Sequence, residues 1–457
     1  MLRGRVVVVV AMLAALAVGT TGWAQADDPD VEELLKKLQQ LEEQNQGLQA
    51  EIDALKTAVS DMQAKPAQVD PEVVKQAVAE AAPVKTGGKE WLTVKGFISA
   101  TWWAQDQQFA FGNGQNAQWP VGAEHTDNEW FNGGDVRNTR LTLGFNGPTF
   151  DNGWSAGGGL ELDFFGGFNG TGAFSQQQTT PRMRLAYADL KKGGTTIRIG
   201  QFWTPLFGEV PASLSHVAFP LGYGSAGMVG WRFPGVFWYQ KLTGPDAAIQ
   251  TQLDVAVFEG SWNGPGDLLA NRSAGNVDFN AQVEAKINFS GKNWKLYGAA
   301  HWDEKDLNGV NNEGQPVLFP KDSLTGTAFE VGGSLKLGSF LVHGNLYTSK
   351  AAGQQFAAIT QFGDISDVGG WLQVGFNLGD HWGIYGFYGM ADPDNDDVLE
   401  WVGANGRMKN EMTAFMLQYS LGQYSLGLEY LTDSVYMGAD ENKLTGNQLA
   451  FSAMYKF

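Results

Sequence analysis

Phe451-Ser452-Ala453-Met454-Tyr455-Lys456-Phe457 ends the chain. Read at period two, Leu449, Phe451, Ala453, Tyr455 and Phe457 share one apolar face, and Gln448, Ser452 and Lys456 share the other. A last strand that is apolar outside, polar inside and closed by phenylalanine is what the barrel assembly machinery of an outer membrane reads. Tyr455 and Phe457 are therefore the expected assembly signal. A closed barrel is one of two backbone arrangements that can cross lipid, because every peptide group then finds its partner within the protein. The ending predicts an all-β transmembrane barrel in the outer membrane of a diderm bacterium.

The opposite end agrees. Residues 1–5 carry two positive charges, residues 6–18 are apolar or small, and Ala24-Gln25-Ala26 supplies a small-residue cleavage site. Residues 1–26 read as a signal peptide, since the apolar run is too short to span a bilayer as a helix.

Charged residues make up 18% of the chain and hydrophobic ones 43%, a mixture that looks soluble. A wide barrel gives the same mixture because only alternate residues meet lipid. Cysteine is absent, which excludes disulfides and thiolate metal sites; no cofactor and no metal is expected. The formal charge of −18 argues against nucleic acid as a partner.

Residues 27–65 read as a periplasmic coiled coil. Val31, Leu34, Leu38, Leu41, Asn45, Leu48, Ile52, Leu55, Val59 and Met62 follow one another at spacings of three and four. Leu34, Leu41, Leu48 and Leu55 take the d positions, Leu38 and Ile52 take a positions, and Asn45 is the polar a residue that sets register. Such a stripe needs partner chains, so it predicts an oligomer. Residues 66–90, with Pro66, Pro71 and Pro83, form a linker with one short helical stretch.

From residue 91 to 457 the pattern has period two. Sixteen strands are expected: 91–103, 136–146, 154–165, 181–190, 195–203, 228–240, 247–259, 277–289, 293–303, 327–337, 339–349, 369–379, 381–391, 411–421, 423–432 and 445–457. The connections alternate long and tight, as in bacterial outer-membrane barrels. Sixteen strands leave a continuous aqueous channel, whereas eight would be filled by side chains. Tyr187, Trp294, Trp302, Trp382, Tyr424, Tyr430 and Tyr455 fall near strand ends on the lipid parity, as interfacial girdles do.

Six of the eight arginines after the leader lie between positions 137 and 232. Strand parity turns Arg140, Arg182, Arg184, Arg198 and Arg232 to the lumen, and leaves Arg137 at the rim. Glu161 and Asp163 are lumenal on the intervening strand. Two readings stay open: an arc that attracts carboxylate or phosphate, or a brace neutralised by those acids. Residues 204–227 form the third long connection, which in large porins folds inward; Glu209 and His216 are then expected to face the arginines across a constriction. The acidic run at 392–397 lacks the glycine of a calcium loop and reads as an external loop bridging lipopolysaccharide. No nucleophile elbow, phosphate loop or paired-histidine motif occurs, so no enzyme is expected.

Asn138-Thr139-Arg140-Leu141-Thr142-Leu143-Gly144-Phe145, Arg184-Leu185-Ala186-Tyr187-Ala188-Asp189-Leu190 and Ile197-Arg198-Ile199-Gly200-Gln201-Phe202 resemble DcaP-like outer-membrane porins. The order of leader, coiled coil, linker and barrel is similar too. The resemblance implies a homotrimer that passes small hydrophilic, often anionic solutes such as dicarboxylates, with Arg140, Arg182, Arg184 and Arg198 attracting them. The alternative is an envelope anchor acting through the coiled coil, with peptidoglycan as a partner.

Overall fold

The computed structural model describes residues 91–121, 129–166, 179–260, 278–279, 281–307 and 319–457. The leader, the coiled-coil segment and the linker lie outside the described residues.

Sixteen wall strands follow in chain order. β1 is Leu92–Gln105, β2 runs as Phe131–Asp135 and Arg140–Thr149, β3 is Ser155–Asp163 and β4 Arg182–Lys192. β5 is Thr195–Trp203, β6 Arg232–Lys241, β7 Gln250–Phe258, and β8 runs as Asp278–Phe279 and Gln282–Ser290. β9 is Trp294–Asp306, β10 Ser323–Leu337, β11 Phe340–Lys350 and β12 Ser366–Leu378. β13 is Trp382–Pro393, β14 Arg407–Leu421, β15 Tyr424–Met437 and β16 Asn442–Lys456. Each pairs antiparallel with its sequence neighbours, and β1 pairs with both β2 and β16, from Phe97 opposite Lys456 to Gln105 opposite Gln448. That pairing closes the barrel, so no described wall strand is left as a sheet edge. Several strands run past the expected bounds at the long-loop end: β10 begins at Ser323 and β15 reaches Met437.

Alternation holds where it is cleanest. In β16, Gln448 and Ser452 are buried while Phe451 is 48% exposed on the outside. In β8, Gln282, Glu284 and Lys286 point inward, and Val283 and Ile287 outward. Trp302, Trp382, Tyr424 and Tyr430 also stand exposed on the outer face.

Local backbone breaks overturn two expectations. β2 is interrupted at 136–139, where Thr139 N–H bonds Val136 O at 3.0 Å. The break tucks Arg137 inward: it is 1% exposed and bidentate on Asp135, not at the rim. In β4 a bulge sets Leu185 opposite Glu161 but Met183 opposite Leu162. The extra residue inverts the alternation beyond it. Tyr187 consequently faces the lumen beneath Arg198, not lipid. In β6, Arg232 is buried as expected, but so is Phe233, which packs on Phe237, Ala256 and Phe258. The chain enters β6 from an inward loop, so its first residue is still inside.

Tight turns at Gly193, Gly338 and Gly422 adopt φ near +60°, joining β4–β5, β10–β11 and β14–β15. Among the described residues, three long-loop segments turn into the barrel: 106–121, 204–231 and 351–365. Their Phe109, Ala117, Phe219, Tyr223, Met228 and Phe356 share one buried cluster with Trp371, Phe387 and Met412 of the wall. The lumen thus holds an apolar core at this level, where sequence reasoning expects water throughout. Gly227 (φ +95°) permits that approach, because a Cβ there would lie 2.1 Å from Gly370 O. The acidic run at 392–397 spans the end of β13 and the start of a helix, α1 (Asn395–Trp401), with Asp394 capping the N–H groups of Asp396 and Asp397.

Candidate functional site

The inner wall from β2 to β6 carries the arginines. Arg182 closes on Asp163 through Nε (2.9 Å) and Nη2 (2.6 Å). Arg184 donates from Nε to Glu161 (2.7 Å) and from Nη1 to Asp163 (2.9 Å). Arg140 stands 3.8 Å from Glu161 and donates to Val217 O at 3.4 Å. Arg198 is bidentate on Asp189 (2.7 and 2.9 Å) and lies between Tyr187 and Phe202, 3.7 and 3.8 Å from the ring centroids. Arg232 differs: its guanidinium stacks on Trp231 (4.1 Å) and Trp203 (4.7 Å), and neither Nε nor Nη1 has a hydrogen-bond partner among the described residues. Bidentate, part-buried pairs of this kind position charge firmly.

Acids pair with most of the arc. Arg137, Arg140, Arg182, Arg184 and Arg198 pair with Asp135, Glu161, Asp163 and Asp189; with Arg232, which pairs with none of them, the six arginines exceed the four acids by two charges. Sequence reasoning missed Asp135 and Asp189. Asp189 becomes lumenal only because of the bulge at Arg184–Leu185.

The facing wall is acidic. Asp254, Glu284, Asp303, Glu330, Asp367, Glu429 and Asp433 are all buried on β7 to β15. His301 bridges Glu284 (2.8 Å) and Asp303 (2.6 Å), and Asp303 also receives Lys305 and Gln354. Glu330 accepts from the Tyr297 hydroxyl, and Asp367 from the Tyr347 hydroxyl (2.5 Å).

The connection 204–231 runs round the inside between these walls. Leu206 N–H bonds Glu284 at 2.6 Å. Gly208 admits the chain past Tyr297, since a Cβ would come within 1.8 Å of the phenol oxygen. Ala212 exchanges N–H and C=O bonds with the Gln373 amide (2.7 and 2.9 Å). Ser213, Leu214 and Ser215 all donate to the Glu429 carboxylate. Asn138 then donates from Nδ2 to Ser215 O (2.6 Å) and accepts Ala218 N–H at Oδ1 (2.9 Å). Phe219 finally lies against Arg182, 5.2 Å from its guanidinium carbon.

The inward course of this third loop matches expectation; its two named residues do not. Glu209 pairs with Lys295 of β9 at 3.4 Å, away from the arginines. His216 is 2% exposed and bonds Ser215 Oγ through Nδ1 at 2.9 Å. Burial lowers its pKa to about 4, so it is neutral at physiological pH and contributes no charge to the lumen.

A closed sixteen-strand antiparallel barrel, apolar outside, charged inside and entered by its third long loop, is the porin fold. No family model and no curated protein matches the chain. Solved structures do. The outer-membrane channel DcaP of Acinetobacter baumannii superposes with a TM-score of 0.61 and 16% identity, covering 81% of this chain and 100% of that one. The anion-selective porin from Comamonas acidovorans gives 0.51 and 12%, covering 80% and 99%. OmpF of Salmonella typhi, in complex with daunomycin, gives 0.50 and 11%, covering 80% and 97%. At these identities the likeness is one of fold.

Proposed function

We propose that this chain is a passive outer-membrane porin for small hydrophilic solutes, with a preference for anions of carboxylate type. The observation that carries the reading is the transverse division of the lumen. Excess guanidinium charge lines β2 to β6, and carboxylates line β7 to β15. Fixed charges of opposite sign across a narrow passage orient a solute and filter it by charge without any cofactor. The gradient alone drives flow.

The coiled coil of residues 27–65 fits a homotrimer held from the periplasmic side, with the barrel in contact with lipid and lipopolysaccharide after insertion by the barrel assembly machinery. A second reading, an envelope anchor whose coiled coil engages peptidoglycan, is favoured by the apolar core inside the barrel. Planar-bilayer recording of the purified protein under a potassium chloride gradient separates them. Stepped conductance in threes with an anion-selective reversal potential is the expected result. Folded protein without current sinks the channel and promotes the anchor. Deleting residues 27–88 adds the converse check: a porin still conducts, whereas an anchor loses its envelope phenotype.

A further inference from the structure

Segment 351–365, between β11 and β12, has a backbone that L-residues avoid. Ala351, Phe356, Ala358, Ile359 and Thr360 all have φ between 50° and 65°. Ala358–Thr360 forms one left-handed turn, closed by Gln361 N–H to Ala358 O at 3.1 Å. In this region Cβ crowds the next carbonyl, most severely for β-branched residues such as Ile359 and Thr360.

The strained turn sits where the three inward loops meet. Phe356 stacks on Tyr223 at 4.5 Å and on Trp231 at 4.6 Å, and Gly230 N–H bonds Gln355 O at 2.7 Å. Ile359, fully buried, packs in one cluster with Trp119 of the first loop. The wall holds the segment by discrete polar bonds. Lys305 Nζ donates to Ala351 O at 2.9 Å. Arg407 exchanges N–H and C=O bonds with the Gln361 amide (2.7 and 2.8 Å) and donates from Nε to Ile359 O at 3.1 Å. Gln354 reaches Asp303, Gln355 reaches Gln282 (3.1 Å), and Ala358 N–H reaches Asp367 Oδ2 at 2.6 Å. Asp367 Oδ1 has no hydrogen-bond partner among the described residues. Strain of this kind persists only where surrounding contacts over-determine it, and it gathers at switch regions.

We propose that 351–365 is a movable gate of the lumen, docked under strain in the arrangement seen here, latched by Asp367 and Arg407, and withdrawn when solute passes. Withdrawal relieves the left-handed turn and separates the Tyr223–Phe356–Trp231 stack, opening the apolar core at its junction. The proposal rests on the channel reading above.

Single-channel recording of the full-length protein tests it. The wild type should alternate between a low and a high conductance level. Ala358→Gly removes one methyl and the steric objection to positive φ, so the docked form gains and the high-level occupancy falls about two- to fivefold. Asp367→Asn replaces a charged acceptor by a neutral one, and the occupancy rises about tenfold. Deleting 353–361 should give a steady high level. A steady single level, unchanged by Ala358→Gly and by the deletion, overturns the gate and leaves the channel standing. Folded deletion protein that passes no current overturns the channel reading itself. If Asp367→Asn fails to fold, Ala358→Gly still decides by the sign of its effect.

Discussion

Glu429 of β15 binds Ser215 of the third long loop twice, accepting its N–H at 3.1 Å and its hydroxyl at 2.5 Å. The same carboxylate accepts from Leu214 N–H and Ser213 Oγ. One wall side chain thus fixes three consecutive loop residues across the barrel.

Glu429→Ala should release that stretch. Two backbone N–H groups and two hydroxyls lose their acceptor, at about 1–3 kcal/mol for each buried donor left unmet. The denaturation midpoint in detergent should fall, and conductance should become noisier as the loop moves. Glu429→Gln keeps one acceptor oxygen and should lie between. Equal midpoints for Glu429→Ala and wild type would remove Glu429 as the anchor.

Asp163 is shared by Arg182 and Arg184, of which Arg184 is 2% exposed. Asp163→Asn leaves these guanidinium groups undercompensated. Breaking a buried pair from one side typically costs about 3–5 kcal/mol, and the reversal potential should move towards anions. An unchanged potential would show that this arc does not border the solute path.

Arg198 combines a bidentate grip on Asp189 with stacking on Tyr187 and Phe202. Lysine can do neither in that geometry. Arg198→Lys should lower stability by about 1–2 kcal/mol, despite conserved charge. A refolding titration in urea measures the difference.

His216 ties stability to pH. Its folded pKa is lowered from 6.5 to about 4, so the unfolded chain takes up a proton first as pH falls. The contribution is whole above pH 6.5 and is lost as pH drops towards 4, by about 3 kcal/mol at most. Urea midpoints at pH 7.5 and 4.5 should differ more for wild type than for His216→Asn. Parallel shifts in both proteins would count against this histidine.

Much of the barrel is written locally. Side-chain alternation tells inner from outer face, and glycines at 193, 338 and 422 mark turns that need positive φ. Antiparallel neighbours in a meander pair in chain order, so strand sequence becomes strand position. The lumenal parity of Arg140, Arg182, Arg184 and Arg198 follows from the same rule. That rule fails beyond the bulge in β4, because one extra residue inverts every later face and no nearby residue type announces it. Tyr187 and Asp189 lie beyond that bulge and face the lumen against simple parity.

The sequence by itself determined how many strands form the wall, in what order they close and, away from the β2 break and the β4 bulge, which residue of each pair faces lipid, because these depend on periodicity and turn chemistry within a few residues. Only the tertiary structure decided what fills the barrel. Glu429 meets Ser215 across 214 positions of chain, and Phe356 meets Tyr223 across 133. Contacts between loops so far apart obey no local period. They are selected by whether aromatic rings, carboxylates and backbone N–H groups can all be satisfied together inside the closed wall.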